Sequence, residues 1–428
     1  MAKAKTKSWL NVTFESSIDQ EETQSPSKKT KSKGIIGQFI ALATIPMVLV
    51  LGNSMLIPIL PQMVTELGIT KAQSSFIITL FSLTAAIVIP IAGFLSDRFS
   101  RKAVIIPSLI IYGLAGVLAG FGAVWNSYTI IIIARAIQGI GAAGTGPISL
   151  ALVGDMYQGA TQSKALGLIE ASNGAGKVIS PIIGALFALI IWYAAFFAFP
   201  IFCLLSIIAV VWVIKEPKKA TKPKKLKPYI SDIKSIIKEK GKWLLPAFLA
   251  GSLALFTLFG VLFYLSNILE EPPYSLKGVI KGLVLAIPLL GMVITSYVTG
   301  SKIKKNGVLM RWLMNIGLII MTVSLGLTLF FFKNVYIFIG LLTLSSIGTG
   351  LLLPCLNTMI TGTVEKSERG MITSLYSSLR FLGVALGPPL FGWMMEKSDK
   401  IIFITVSSLA LGTLVMVFFL IKPEAEVQ

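Results

Sequence analysis

The feature that most constrains this chain is a series of twelve apolar segments, each close to the length that a lipid bilayer requires. A transmembrane helix needs about 20 consecutive apolar residues, and its backbone polar groups must be bonded within the segment. With 54% hydrophobic and 13% charged residues, the chain is more apolar than a soluble domain. The sequence therefore predicts an all-α integral membrane protein. We place the segments at about 36–60, 74–94, 103–124, 128–153, 164–188, 194–214, 243–268, 279–300, 308–331, 335–360, 370–394 and 401–421.

Basic residues divide the loops between these segments into two groups. Of the 38 Lys and Arg residues, 29 lie in the tails and in the loops on one side of the predicted membrane. Six lie on the other side, and they are Lys71, Lys277, Lys281, Lys333, Lys397 and Lys400. Basic loops stay in the cytoplasm, so we expect a multi-pass protein of a bacterial cell (plasma) membrane with both termini cytoplasmic. The net charge of +19 then serves topology and anionic lipid rather than nucleic acid.

The same map divides the chain into five parts. We predict a disordered cytoplasmic tail over 1–35, an N-terminal six-helix bundle over 36–214, a basic cytoplasmic linker over 215–242, a C-terminal six-helix bundle over 243–421 and a cytoplasmic tail over 422–428. Two interpretations of the linker remain open. It is either a plain connector, or its residues Ser231 to Lys240 form a short amphipathic helix on the membrane surface.

Six pairs of small residues or prolines recur at one constant offset, 383 − 176 = 207 residues. One offset shared by separate regions indicates a duplication. Two homologous halves around a site at the membrane midplane are the layout of many secondary transporters. The pairs are Gly93 and Gly300, Gly141 and Gly348, Pro147 and Pro354, Gly176 and Gly383, Ser180 and Gly387, and Pro181 and Pro388.

The loop between the second and third segments carries an acid inside a basic cluster. A topogenic loop needs positive charge alone, so the acid Asp97 is informative. It can pair with Arg98 or Arg101, or lie against the positive end of another helix. The cluster resembles the loop signature of the major facilitator superfamily, with Ser100 in place of a second glycine. The resemblance implies a gating loop formed by Gly93, Asp97, Arg98, Arg101 and Lys102.

Two further motifs resemble the same superfamily. In the fourth segment, the arginine of a fourth-helix signature is implied to take part in proton transfer. The fifth segment is similar to the motif of the twelve-helix drug/proton antiporter family, and the eleventh repeats it in part. The residues of the fourth segment are Arg135, Gln138, Gly139, Gly141, Ala142 and Ala143. The antiporter motif comprises Gly176, Ser180, Pro181, Gly184 and Ala185, repeated by Gly383, Gly387, Pro388 and Gly392.

This resemblance covers residues 36–421 and implies the major facilitator fold. In that fold two pseudo-symmetric six-helix bundles enclose a central cavity, and transport proceeds by alternating access. The small residues of helices five and eleven let other helices approach closely, so we expect each to cross a helix of the opposite half at small residues. Taken as a residue in its own right, Arg135 either serves a site or extends its charge toward the membrane interface.

Charged residues inside the membrane mark the predicted site, because charge at that depth is costly and faces a cavity or a protein interior. Glu170 is the carboxylate that we place there, so we assign proton coupling to Glu170, with Arg135 and Asp97. Burial raises the affinity of a carboxylate for a proton. Glu170 and Lys177 are seven residues apart on one helix face, and a structural ion pair is the alternative interpretation.

The predicted substrate cavity contains more cations than anions, which favours anionic substrates. We assign to it Asn53, Arg135, Gln138, Lys177, Tyr376 and Arg380. Many members of the family carry an acid in helix one, where this chain offers Asn53.

The sequence thus predicts a proton-coupled secondary exporter of small organic molecules, of the multidrug type. A dedicated exporter of an anionic metabolite such as a siderophore is the alternative, and a non-transporting membrane receptor on the same fold is a third hypothesis. A channel would need a ring of pore-lining polar residues. An enzyme would need a nucleophile with a base or paired acids, and the chain contains no histidine.

We expect no cofactor and no metal site, since Cys203 and Cys355 are isolated. The expected partners are a small organic substrate, protons and the lipid bilayer, with no nucleic acid, and we expect a monomer.

Overall fold

The computed structural model describes residues 26–157, 159–217, 226–303, 306–362 and 366–422. Within these ranges it describes all side chains except those of 26–36, 159–164, 166–167, 170–171, 226–230, 232 and 366–369. The predictions for residues 1–25 and 423–428 therefore lie outside the described residues. Residues 26–35, which we predicted as part of the disordered tail, are helical. Lysine favours helix, and the adjoining apolar segment supplies a nucleus from which a helix can extend.

The described chain folds into fourteen α-helices and one 3-10 turn, which confirms the predicted all-α class. The elements are α1 Pro26–Ser54, the 3-10 turn Ile57–Ile59, α2 Leu60–Leu67, α3 Lys71–Arg98, α4 Arg101–Val124, α5 Tyr128–Ala143, α6 Gly146–Met156, α7 Gly159–Ile190, α8 Ala194–Val213, α9 Leu226–Glu270, α10 Gly278–Ile303, α11 Gly307–Phe331, α12 Val335–Gly362, α13 Lys366–Met395 and α14 Asp399–Leu420.

Within the described residues, eleven stretches are long and apolar enough to cross a membrane. Two of them join consecutive elements, because Gly37–Leu67 spans α1, the 3-10 turn and α2, and Tyr128–Met156 spans α5 and α6. The remaining long helix is α13, with 30 residues. Its serines, Arg380 and two prolines lower its mean hydropathy. The helices thus follow the twelve predicted segments in number and order.

The helix boundaries repeat at the offset found in the sequence. Adding 207 to the bounds of α3 and α7 gives 278–305 and 366–397, and the structure places α10 at 278–303 and α13 at 366–395. The same addition relates α4 to α11 and α8 to α14 within two residues. This agreement supports a duplicated chain with an N-terminal half of α1–α8 and a C-terminal half of α9–α14.

Two helix breaks distinguish the N-terminal half from its counterpart. Pro58 lies between α1 and α2 and Pro61 is the second residue of α2, whereas the continuous helix α9 has Leu265 and Ile268 at the equivalent positions. Proline removes a backbone donor and interrupts a helix. At the junction of α5 and α6, the positions Gly144–Gly146 are equivalent to Leu351–Leu353 of the continuous helix α12. Glycine lowers helix propensity, so the break falls where glycines cluster.

The two halves meet along two antiparallel helix pairs, α3 with α13 and α7 with α10. In the first pair, Thr79 Oγ1 donates to the carbonyl of Ala385 at 2.8 Å and Ser378 Oγ donates to the carbonyl of Ala86 at 2.5 Å. Hydroxyl groups satisfied by the facing backbone allow close packing of membrane helices.

In the second pair, a Cβ added to Gly282 of α10 would lie 2.7 Å from the carbonyl oxygen of Pro181 and 3.0 Å from Cβ of Ala185. Helices five and eleven of the predicted order, α7 and α13, therefore each cross a helix of the opposite half at small residues, as we expected.

The segment predicted as a linker is ordered at both of its ends. Helix α9 begins at Leu226, so that Ser231 to Lys240 continue directly into the membrane helix. At the other end, the carboxylate of Glu216 accepts from the backbone N–H of Arg101 at 2.6 Å and of Lys102 at 3.0 Å. A carboxylate suits the positive N-terminus of a helix, so Glu216 ties the exit of α8 to the start of α4.

Candidate functional site

Two ends of the helix bundle are named by their residues below. The Lys71 face contains the turn between α2 and α3, the turn between α7 and α8, and the segment between α9 and α10. The Asp97 face, at the opposite end, contains the turn between α3 and α4 and the end of α6. The candidate site comprises the buried polar side chains between these faces and the charged cluster on the Asp97 face.

Arg135 of α5 is fully buried and is bonded through each of its nitrogens. Nε donates to the carbonyl of Ile77 at 2.8 Å, Nη1 to Oε1 of Gln138 at 2.5 Å, and Nη2 to Oδ1 of Asn53 at 2.9 Å. The guanidinium also lies 4.3 Å from the ring centroid of Phe81, within the range of a cation–π interaction. Every oxygen that bonds Arg135 in the described part of the chain is neutral.

The second partners of this cluster complete a network inside the N-terminal half. Asn53 Nδ2 donates to Ser82 Oγ at 2.9 Å, and Gln138 Nε2 donates to the carbonyl of Tyr112 at 3.4 Å. Asn53 lies near the end of α1, directly before the break. The structure thus brings together three of the residues that we assigned to the substrate cavity. In this conformation Arg135 is 0% exposed, so it faces a closed network rather than an open cavity wall.

Arg380 of α13 has a different environment. Its guanidinium lies 5.4 Å from the ring centroid of Tyr376, one helical turn earlier. Its Nε is buried and has no hydrogen-bond partner among the described residues. The Tyr376 ring is fixed by its own neighbours. Its centroid lies 5.6 Å from that of Phe248, and the ring occupies the space that a side chain at Gly251 would fill. A buried, unsatisfied donor on a cation is costly. The Nε of Arg380 is therefore free to donate one hydrogen bond to an acceptor.

The other two intramembrane charges that we predicted from the sequence lie on α7. Lys177 is partly buried there, and the side chain of Glu170 lies outside the described residues. The predicted relation between Glu170 and Lys177, as a proton site or as a structural ion pair, therefore stays a prediction. No described contact joins the Arg135 network to Arg380.

The charged loop on the Asp97 face forms a network around Arg101. Arg101 Nη1 contacts Asp97 Oδ1 at 2.5 Å and Ser96 Oγ at 2.8 Å, while its Nε contacts Asp155 Oδ2 of α6 at 2.8 Å. The sequence left open whether Asp97 pairs with Arg98 or Arg101, and the structure shows Arg101. Asp97 also faces the other half, since a Cβ on Gly370 of α13 would lie 3.9 Å from its Oδ2.

The structure also shows contacts of Ser100 and of the predicted gating-loop residue Gly93. Ser100 Oγ accepts from the backbone N–H of Ala103 at 3.0 Å and caps α4, which accounts for serine where the resembling family has glycine. A Cβ on Gly93 would lie 2.6 Å from Ser374 Oγ of α13. Gly93 is therefore a point where the two halves approach each other.

Glycines of the antiporter motif and of its repeat pack against the first helix of their own half, or directly beside its end, whereas Pro181 and Ala185 face α10. A Cβ on Gly184 would lie 1.9 Å from the carbonyl oxygen of Met55, and Gly176 packs beside Val50 of α1. The repeat behaves alike, because a Cβ on Gly383 would lie 2.1 Å from the carbonyl oxygen of Ser252 of α9. Ser180 Oγ, which is buried, donates to the carbonyl of Gly176 within α7. Close packing of α7 on α1 and of α13 on α9 thus depends on these positions.

One charged residue was placed wrongly from the sequence. We counted Lys281 among the loop cations, but its side chain is 1% exposed and lies inside α10. It contacts Glu270 Oε1 at 2.7 Å and also reaches the N-terminal half. A signal was present, because the predicted eighth segment, 279–300, already contained Lys281. Its partner Glu270, together with Ser266 and Glu216, carried no motif that would have singled it out.

Comparison with known proteins gives a consistent result. The sequence matches the model of the Major Facilitator Superfamily over residues 42–322 and 280–428. It is 42% identical over 389 residues to the bacillibactin exporter of Bacillus subtilis (strain 168), which covers 90% of this chain and 96% of that protein. It is 26% identical over 350 residues to multidrug resistance protein 1 of the same organism, covering 81% of this chain and 86% of that protein.

Among solved structures, the fold is similar to the crystal structure of the human organic anion transporter MFSD10 (TETRAN). The TM-score is 0.68 at 18% sequence identity, and the similarity covers 92% of this chain and 100% of that one. At this identity the likeness shows the fold alone.

Proposed function

Because this chain belongs to the Major Facilitator Superfamily, we propose that it is a proton-coupled exporter of a small organic anion that works by alternating access between its two halves. The family consists of transporters, and the match indicates no catalytic activity. Our proposal adds three parts to this family assignment: coupling to protons, export as the direction of transport, and a negative charge on the substrate.

The observation that carries the proposal is the 42% identity to the bacillibactin exporter along 90% of this chain. The multidrug relative reaches 26%. We therefore favour a dedicated exporter of bacillibactin or of a compound of the same chemical class over a broad multidrug pump. This choice corresponds to the anionic-metabolite alternative that the sequence left open.

Arg380 supports an anionic substrate. Its Nε is buried without a partner among the described residues, and its guanidinium is held against Tyr376. Guanidinium groups bind carboxylate and similar anions through paired, charge-assisted hydrogen bonds. An anion bound at Arg380 would satisfy the donor and offset the charge together. Lys177 is the second cation that we assign to the substrate, from its place on α7.

For proton coupling we retain Glu170 as the first candidate and Asp97 as the second. A proton carrier in the membrane needs a carboxylate that changes charge between the two states of the transporter. Arg135 would tune this step from within its closed network rather than by direct contact with substrate, because it is 0% exposed.

The experiment is uptake into inverted membrane vesicles under an imposed pH gradient, with bacillibactin, a neutral organic compound and a lipophilic cation as substrates. We expect bacillibactin to accumulate only while the gradient is present, and Glu170→Gln to abolish this accumulation. Gradient-dependent accumulation by Glu170→Gln would move the proton site elsewhere, to Asp97 first.

Arg380→Ala tests the charge of the substrate. Loss of a hydrogen bond to a charged group costs about 1.5–3 kcal/mol, so we expect transport of anions to fall about tenfold or more while transport of a neutral compound changes little. The matched control is Arg311→Ala. The Arg311 guanidinium donates to the carbonyl of Phe418 at 3.0 Å and lies over the Phe418 ring. A panel in which lipophilic cations are the best substrates would contradict the anion proposal, and binding without accumulation would favour the receptor hypothesis.

A further inference from the structure

The break between α1 and α2 leaves the carbonyl oxygens of two buried residues near the Lys71 face short of backbone donors. In an α-helix the carbonyl of Ile57 would accept from residue 61, but residue 61 is proline and has no N–H. The carbonyl of Pro58 loses its 3-10 donor for the same reason, because that donor would also be Pro61. The backbone of Leu60 donates to Ile57, and each carbonyl oxygen can accept a second hydrogen bond.

The donors that reach these two oxygens come from the other half. Ser266 Oγ of α9, fully buried, donates to the carbonyl of Ile57 at 2.9 Å. Lys281 Nζ of α10 donates to the carbonyl of Pro58 at 2.7 Å. The equivalent positions in α9 carry no proline, so this arrangement follows from the break that is specific to the N-terminal half.

Lys281 is held by two groups that belong to different halves. Glu270 Oε1 lies 2.7 Å from its Nζ and is on the same half, at the end of α9. The carbonyl of Pro58 is on the opposite half. When the halves separate at this face, the pair with Glu270 persists and the bond to Pro58 breaks. The lysine side chain is 1% exposed while the face is closed, so separation exchanges a buried hydrogen bond from a charged donor for contact with water.

A third contact crosses between the halves on the same face. Lys71 Nζ at the start of α3 lies 2.5 Å from Glu271 Oε1, but these side chains are 40% and 52% exposed. An exposed ion pair contributes little. The two buried contacts therefore dominate the polar closure of this face in the described part of the chain.

We propose that Ser266, Lys281 and Glu270 form a latch that closes the Lys71 face by binding the backbone carbonyls of Ile57 and Pro58. Glu270 positions the ammonium of Lys281, and the latch must release before the central site opens toward this face. The inference rests on the alternating-access part of the proposed function. It concerns closure alone and is independent of which compound is transported.

The test measures how readily the closed region is reached by a membrane-impermeant maleimide. Ile57 is 1% exposed, so the variant Ile57→Cys reports opening at the latch. Labelling is measured in right-side-out and in inverted vesicles, and Lys333→Cys, on an exposed turn of the Lys71 face, identifies the preparation that presents this face. The native Cys203 and Cys355 are buried, and the parent without Ile57→Cys gives their background.

In the Ile57→Cys protein, we expect Lys281→Met and Ser266→Ala each to raise the labelling rate from the Lys71 face. For Lys281→Met the rise should be about tenfold or more, as for loss of a hydrogen bond to a charged group. Lys277→Met is the matched control, since Lys277 is an exposed lysine directly before α10, and it should leave the rate unchanged.

Ser266→Ala keeps the test decisive if Lys281→Met fails to fold, because it removes a cross-half bond without leaving a buried charge. The latch is overturned if folded Ser266→Ala and Lys281→Met label at the rate of Lys277→Met. Labelling needs no substrate. A failure to transport bacillibactin would therefore leave the latch standing, and unchanged labelling with normal transport would refute the latch alone.

Discussion

Arg135 and Arg380 are both arginines in the middle of membrane helices, yet their surroundings differ. Arg135 is bonded through each of its nitrogens to neutral oxygens on α1, α3 and α5, whereas Arg380 retains a buried Nε without a partner among the described residues. A guanidinium bonded at each nitrogen stabilises packing within one half, and one with a buried free donor favours a ligand. The difference depends on neighbours far away in the chain, such as Asn53 for Arg135.

At the same scale, Asp97 and Asp155 both bind Arg101 but differ in what else they face. The side chains are 40% and 39% exposed, so each ion pair should contribute only about 0.2–1 kcal/mol to stability. Asp97 lies near Gly370 of α13 in the other half, and its predicted role in gating can be tested against Asp155.

We therefore expect Asp97→Asn to reduce transport several-fold while expression and the thermal unfolding midpoint stay close to wild type. Asp155→Asn, the matched control, removes a carboxylate from the same arginine and should reduce transport less. The measurement is initial transport rate normalised to protein in the vesicles. Equal rates for Asp97→Asn and wild type would remove Asp97 from the gating mechanism.

At the scale of elements, duplicated helices have acquired different contacts. Helices α3 and α10 are equivalent, and so are their residues Gly93 and Gly300. Gly93 packs against Ser374 of the other half, whereas a Cβ on Gly300 would meet no heavy atom of the described chain within 4 Å. On α10 the close approach occurs instead at Gly282, next to the Lys71 face.

The different surroundings of Gly282 and Gly300 allow a comparison of two substitutions within α10. Gly282→Val would place a side chain against the backbone of Pro181, and overpacking of this kind costs about 1–3 kcal/mol. We expect a lower thermal unfolding midpoint in detergent and reduced transport. Gly300→Val changes helix propensity by a similar amount without the clash, so it should resemble wild type in both measurements. Equal effects of the two substitutions would show that propensity alone is responsible.

At the scale of the whole molecule, basic residues and the helix order predict which face is cytoplasmic. The Asp97 face carries the clusters that we assigned to the cytoplasm, and the Lys71 face carries the sparse ones. We expect a cysteine at Lys5 to react with an impermeant maleimide in inverted vesicles only, and one at Lys333 in right-side-out vesicles only. Reaction of both in the same preparation would contradict the orientation, because it would place the N-terminus on the Lys71 face.

The sequence by itself determined the membrane class, the twelve spans and the duplication, and it limited the partner of Asp97 to Arg98, Arg101 or the positive end of another helix. These depend on local quantities, namely hydropathy over about 20 residues and repeats at a constant offset. It also predicted that Arg380 and Arg135 lie within membrane helices, since a charge inside an apolar run is visible without any partner.

Only the tertiary structure decided which of these charges are satisfied and what Lys281 does. The contacts concerned join Arg135 to Asn53, Ser266 to Ile57 and Lys281 to Pro58, pairs separated by 82, 209 and 223 residues. A carbonyl freed by Pro61 is predictable from the sequence, but its partner depends on how the two halves pack. A lysine at the edge of an apolar segment is equally compatible with a loop or with a buried ion pair, and packing of α10 against the other half selects the second.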